Sequence, residues 1–222
     1  MNFKNIKAVA FDLDGTLVNS IADLTNSANA MRAYLDLPAL SQQRLQEHVG
    51  DGIASLVHRA ITDERDGQAE ASLWERGYTF FVQHYHAHLA EHTRAYPGVD
   101  DGLSLLRVLK LPLAVITNKS VRLAVPLLEQ LGLREQFSII LGGDSLPEKK
   151  PSALPLLHTC ENFGIKPGEL LMVGDSANDI KAARQAGSPV IAVNYGYAPA
   201  ETLGADQIIG NLAELYDLMK NN

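Results

Sequence analysis

Cysteine is almost absent from this 222-residue chain: Cys160 stands alone, so no intramolecular disulfide can form and no cysteine cluster can hold a metal. Aromatic residues are sparse at 6%, and positive charge is in deficit, with 19 Lys plus Arg against 26 Asp plus Glu. The resulting formal charge of −7 argues against broad electrostatic binding to nucleic acid or to an anionic membrane. Long hydrophobic runs are missing as well. No stretch approaches the roughly 20 apolar residues that cross a bilayer. The apolar segment within MNFKNIKAVAFDLDG is too short for a secretory signal and is broken by Asp12. A reducing, cytoplasmic setting is expected, with Cys160 as a packing residue in a helix. What is present is an ordinary globular balance, 46% hydrophobic and 20% charged, in a length that suits one domain carrying a smaller insertion.

Periodicity divides the chain. Residues 6–11 read as a short buried strand, rich in β-branched and apolar side chains. From about Ile21 to Ala90 the spacing becomes helical, in IADLTNSANAMRAYLDL and ASLWERGYTFFVQHYHAHLAEH, with almost no strand signal. The Pro-Gly of RAYPGVDDG marks a turn and a return to alternation. Helices are predicted at 99–110, 120–131, 152–163 and 178–186, interleaved with strands at 113–117, 138–141, 170–174 and 190–193. Such alternation predicts an α/β chain with a Rossmann-like three-layer core, a parallel sheet covered by helices on both faces. The core comprises residues 1–18 and 91–222, and residues 19–90 form an all-helical insertion.

In open parallel sheets, ligands gather at the carboxyl ends of the strands near the switch in strand order. Four segments deliver reactive side chains to that edge: Asp12 and Asp14 after the first strand, Thr117 and Asn118 after the second, Lys150 after GGDSLPEKKP, and Asp175 after LLMVG. Two carboxylates one residue apart at the margin of a core are costly to desolvate and repel each other, so a purely structural segment has little reason to keep both.

The motifs DLDGT, TN, KKP and GDSAND occur in the order and loop positions of the haloacid dehalogenase-like hydrolases, and the chain resembles that family across 5–19 and 96–222. Within it, LMVGDSANDIKAARQAG followed by VNYGY is most similar to the phosphoglycolate phosphatase-like subgroup. The resemblance implies that the helical insertion is a small cap domain. It also implies a Mg²⁺-dependent hydrolysis of a small phosphorylated metabolite, 2-phosphoglycolate, to glycolate and phosphate. Asp12 would be nucleophile and metal ligand, and Asp14 acid/base and metal ligand through its backbone carbonyl.

The residue chemistry suits that reading. A phosphomonoester is a dianion that carboxylates repel unless a cation intervenes, and Mg²⁺ takes oxygen ligands of the kind Asp12, Asp14 and Asp175 offer. Asp12 can then form an aspartyl-phosphate, while Asp14 protonates the leaving alkoxide and later deprotonates water. Gly15 permits backbone N–H groups to approach phosphate oxygens. Thr117 and Asn118 offer a hydroxyl and an amide, and Lys150 a compact charge over the transferring group. Asp179 is expected to orient Lys150 or a metal-bound water. The KPSA sequence lacks the second proline that many family members carry after the lysine, which predicts an altered start to the next helix.

Sugar-phosphate, nucleotide or pyrophosphate phosphatases of the same fold, and a phosphosugar mutase, are the competing readings. A non-catalytic phosphate-binding protein is disfavoured because neither the nucleophile nor its lysine is missing. In the insertion, Gly50 and Gly52 flank Asp51 just before a helix, and Arg59 or His58 is placed either to meet an acidic substrate or on a solvated helix face. His84, His88 and His92 fall at i, i+4 and i+8; an exposed or interhelical histidine face is preferred over a zinc site, since no third ligand of known position accompanies the pair. A monomer or homodimer without nucleic-acid or membrane partners is expected.

Overall fold

A computed structural model describes residues 3–220. In chain order the elements are β1 (Ala8–Phe11), β2 (Val18–Asn19), α1 (Ile21–Tyr34), α2 (Gln42–His48), α3 (Ile53–Thr62), α4 (Ala71–Ala87), β3 (Arg94–Ala95) and α5 (Val99–Val108). There follow β4 (Leu113–Ile116), α6 (Val121–Gln130), β5 (Ile139–Leu141), α7 (Leu154–Phe163), β6 (Leu170–Gly174), α8 (Ala177–Ala186), β7 (Val190–Val193), β8 (Gln207–Ile209) and α9 (Glu214–Met219).

Six strands form one sheet in the order β5-β4-β1-β6-β7-β8, and every pairing is parallel. The register places Val9 beside Leu113 on one side and beside Leu171 on the other. Strands β1, β4, β6 and β7 are buried along their whole length. That explains their continuous apolar sequences, because a parallel strand covered on both faces has no side to expose. On one face Ala8, Ala10, Met172 and Val190 pack with Leu156 and Cys160 of α7 and Ala182 and Ala183 of α8. The small side chains let those helices lie close to the sheet. Cys160 is buried there, a packing residue as expected. Strand order reverses around β1, from which the chain goes first to β4 and β5 and later to β6 on the other flank. The carboxyl end of β1 is therefore the switch point at which a ligand crevice forms in this architecture.

The chain divides into two compact units, Ser20–Arg94 and the remainder of the described chain. The first is built from the four helices α1–α4 and their connecting loops, and Leu24, Met31, Leu45, Leu56, Val57, Phe81 and Tyr85 form its buried interior. Its far end is tied back to its start. Asp23 on α1 is buried, and its Oδ2 accepts hydrogen bonds from the Thr93 N–H at 2.8 Å and the Thr93 hydroxyl at 2.7 Å. The His92 N–H donates to the same carboxylate at 3.0 Å. Phe80, unlike its neighbour Phe81, is only half-buried and stacks on Tyr34 with centroids 4.6 Å apart.

The histidine stripe does not form. Helix α4 ends at Ala87, so His88 caps it and His92 lies beyond the helical register. The rings of His84 and His88 stack at 4.2 Å, whereas the His92 ring turns to Asp23 at 2.9 Å. Among the described residues, no helix is long and apolar enough to cross a membrane.

Candidate active site

The end of β1 sets the frame. Asp12 continues the sheet through its N–H, which donates to Val173 O at 2.9 Å. Leu13 is fully buried, and its N–H donates to Asp12 Oδ1 at 2.7 Å. The following turn closes through Gly15 N–H to Val18 O at 2.9 Å and Leu17 N–H to Leu13 O at 3.0 Å. Gly15 has φ +87°, a left-handed conformation that costs a side-chain-bearing residue, and a Cβ there would sit 2.2 Å from Asp175 Oδ2. The glycine after the two acids is thus required by the third.

Lys150 lies at the centre, 2% exposed. Its ammonium is 3.0 Å from Asp12 Oδ1 and 2.5 Å from Asp179 Oδ1. The other oxygen of Asp179 accepts from the Ser176 N–H at 3.0 Å and the Ser176 hydroxyl at 2.6 Å, closing the first turn of α8. Asp179 therefore orients Lys150, one of the roles expected of it, and at the same time caps a helix. Asp175 is held by the Thr16 hydroxyl at 3.1 Å and the Tyr197 N–H at 2.8 Å. Asn118 donates from Nδ2 to the Lys150 carbonyl at 2.9 Å, and the Thr117 hydroxyl accepts from the Lys119 N–H at 3.2 Å. Asp14 is paired with Lys119.

Carboxylate oxygens of Asp12, Asp175 and Asp179 come within 4.8 Å of one another. Three negative charges facing the single ammonium of Lys150 leave a deficit of two positive charges, which the protonation equilibria register. Burial, opposed by Lys150 and reinforced by Asp179, pushes the Asp12 carboxyl up to about 6. Asp175 is raised well above its ordinary value by burial and by the charges of Asp12 and Asp179. Burial alone would lower Lys150, but Asp12 and Asp179 outweigh it and raise it. A buried, oxygen-only donor set short of two positive charges fits a hard divalent cation.

The sequence profile of the haloacid dehalogenase-like hydrolases matches residues 9–193. The chain belongs to that family. A phosphoglycolate phosphatase of Chromobacterium violaceum is 71% identical over the full length of both chains. One from Neisseria meningitidis is 49% identical, over 96% of this chain and 94% of its own. Among solved structures, a "predicted phosphoglycolate phosphatase" from Haemophilus somnus superposes with a TM-score of 0.91 at 35% identity, covering 96% of this chain and 98% of that one. This hydrolase is accordingly a phosphoric monoester hydrolase with the expected α/β fold.

Several parts of the hydrolase site were not apparent from its motifs. Lys119, Thr16 and Tyr197 each hold an aspartate. The Tyr195 hydroxyl donates to the Thr16 carbonyl at 3.1 Å while its ring packs on Tyr96 at 4.7 Å. A Cβ on Gly196 would sit 2.2 Å from Asp175 Cβ, so NYGY is the backbone wall against that carboxylate. Its position at the end of β7, next to β6, was the available signal.

In the helical unit, Gly50 and Gly52 have φ +120° and +85°. Arg59 is neither free for a substrate nor on a solvated face. Its guanidinium holds Asp51 at 2.6 Å, the Arg65 carbonyl at 2.7 Å and the His48 carbonyl at 3.0 Å. His58 stacks on Trp74 and accepts from the Ala69 N–H. These residues shape the loop between α2 and α3.

Proposed function

We propose that the chain is a Mg²⁺-dependent phosphatase that hydrolyses 2-phosphoglycolate to glycolate and phosphate through an aspartyl-phosphate. The observation that carries this reading is the buried Asp12–Lys150 pair at 3.0 Å inside a carboxylate cluster short of positive charge. The names borne by the relatives at 71% and 49% identity support the substrate.

Asp12, Asp175 and the backbone carbonyl of Asp14 would hold the ion, which when bound offsets the charge of the phosphoryl group. Asp179 is left out of this set because one of its oxygens is paired with the Lys150 ammonium and the other closes the first turn of α8, whereas Asp175 meets only the neutral donors of Thr16 and Tyr197. Lys150 keeps the Asp12 carboxylate ionised and in place, and its ammonium also attracts the phosphoryl oxygens. Thr117, Asn118 and the backbone at Gly15 receive those oxygens. In the first half-reaction an Asp12 oxygen bonds to phosphorus, the bond from phosphorus to the leaving oxygen breaks, and Asp14 gives that oxygen a proton. In the second, water attacks phosphorus, Asp14 takes its proton, and the bond to Asp12 breaks.

The test is phosphate release from phosphoglycolate, hexose phosphates, nucleotides and pyrophosphate, ranked by kcat/KM. Phosphoglycolate is expected to lead, and EDTA to abolish turnover until Mg²⁺ is restored. A leading hexose phosphate would replace the substrate while leaving the chemistry; full activity in EDTA would overturn the metal requirement.

A further inference from the structure

The ion pair between Asp14 and Lys119 lies outside the roles just given, in which Lys150 is the one cationic side chain. Lys119 follows Thr117 and Asn118 after β4. Its ammonium lies 2.9 Å from each carboxylate oxygen of Asp14, 105 residues away in the sequence. Its side chain is 2% exposed, a burial that lysine almost never shows unless it is paired. The backbone that carries it is equally fixed. The Lys119 N–H donates to the Thr117 hydroxyl, and its carbonyl accepts from the Gly143 N–H at 2.9 Å. Gly142 packs so closely that a Cβ there would sit 2.8 Å from the same carbonyl oxygen. With its backbone held and its side chain buried, the ammonium is confined beside Asp14. Its equal distances to the two oxygens centre the ammonium on the Asp14 carboxylate and hold that group in position.

We propose that Lys119 is the positioning residue for Asp14, holding its carboxyl group where it meets the leaving-group oxygen. The inference rests on the phosphatase mechanism proposed above. As the Asp12–phosphorus bond forms and the bond to the leaving oxygen breaks, one oxygen of Asp14 delivers the proton while the other keeps its hold on Lys119. A residue that only aligns an acid has a distinctive signature. Its loss slows departure of basic alkoxides, which need the proton, and spares leaving groups that depart as stable anions.

Wild type, Lys119→Met and Lys119→Arg are compared on p-nitrophenyl, phenyl and ethyl phosphate, in order of rising leaving-group basicity. The quantity read is kcat/KM, which covers steps up to leaving-group departure and omits later hydrolysis of the phospho-enzyme. A misplacement on the order of 1 Å costs about 100-fold, so Lys119→Met should lose about that on ethyl phosphate and roughly threefold or less on p-nitrophenyl phosphate. Lys119→Arg, which can grip a carboxylate with two donors, should recover most of the loss. If Lys119→Met does not fold, Lys119→Gln takes its place. A loss uniform along the series, in a variant with wild-type thermal stability, overturns the inference. A wild type that cleaves neither these esters nor phosphoglycolate sinks the phosphatase reading instead.

Discussion

Replacing Asp12 by Asn is expected to abolish turnover and, in the metal-free protein at neutral pH, to stabilise the fold. Asp12 shares Lys150 with Asp179 and faces Asp175, and burial pushes its carboxyl from 3.8 up to about 6. Between those two values the folded chain keeps a proton that the unfolded chain has lost. Stability therefore falls as pH rises through that window. The gap between 3.8 and about 6, at 1.36 kcal/mol per pH unit, amounts to about 3 kcal/mol of cost above pH 6. Asparagine stands in for the neutral acid, and its carbonyl oxygen can still accept from the Leu13 N–H and from Lys150. The variant should therefore be roughly 2–3 kcal/mol more stable than wild type in EDTA at neutral pH, or roughly 4–12 °C in Tm for a chain of this size. The advantage should shrink steadily towards pH 4, where wild-type Asp12 is protonated in the folded state. Thermal and urea unfolding, followed by circular dichroism across this pH range with and without Mg²⁺, measures both effects. Mg²⁺ should raise wild type more than the variant, since the variant has given up one anionic ligand. A variant no more stable than wild type at neutral pH, or a difference indifferent to pH, refutes the claim that the charge of Asp12 is held against an electrostatic cost.

Two other substitutions probe separate parts of the molecule. Burial opposes the charge of Asp23, but hydrogen bonds from Thr93 and His92 hold its carboxyl below the ordinary value. That contribution is present above the unfolded carboxylate pKa and is lost as pH falls through the folded one. Asp23→Asn sets an NH₂ against N–H donors and should cost about 2–3 kcal/mol in urea unfolding at neutral pH, and little in strong acid. Gly196→Ala would drive a methyl group into Asp175 and should weaken Mg²⁺ by at least about 10-fold, read from the Mg²⁺ dependence of phosphate release. An unchanged dependence would show that Asp175 is not a ligand.

The sheet was legible where burial on both faces leaves an unbroken apolar signature, as in AVAF, LAVI and VIAV. Strand β8 and helix α9 escaped because they sit at the sheet margin. Gln207 and Ile208 are not buried, and α9 has only six residues, too few for a helical period to stand out. The short β2 and β3 carry no pattern at two residues each. At the site, motifs identified the residues that strand ends bring to one edge, and Asp12, Lys150, Asp175 and Asp179 are indeed assembled there. Burial also separates Lys150 from its neighbour Lys149, which remains partly exposed. The partners were hidden for a different reason. Lys119 meets Asp14 across 105 positions and Thr16 meets Asp175 across 159, and no local spacing encodes such encounters. The histidine series failed because a periodicity argument presumes the helix continues, whereas α4 stops at Ala87.

Asp179 joins two processes ordinarily considered apart. One of its oxygens terminates the backbone of α8 at Ser176, and the other secures the lysine beside the nucleophile. Fraying of that first helical turn therefore also releases the lysine, and the two events share one population. Hydrogen exchange at the Ser176 amide, a measure of folding, thereby becomes a clock for how often the catalytic centre comes apart.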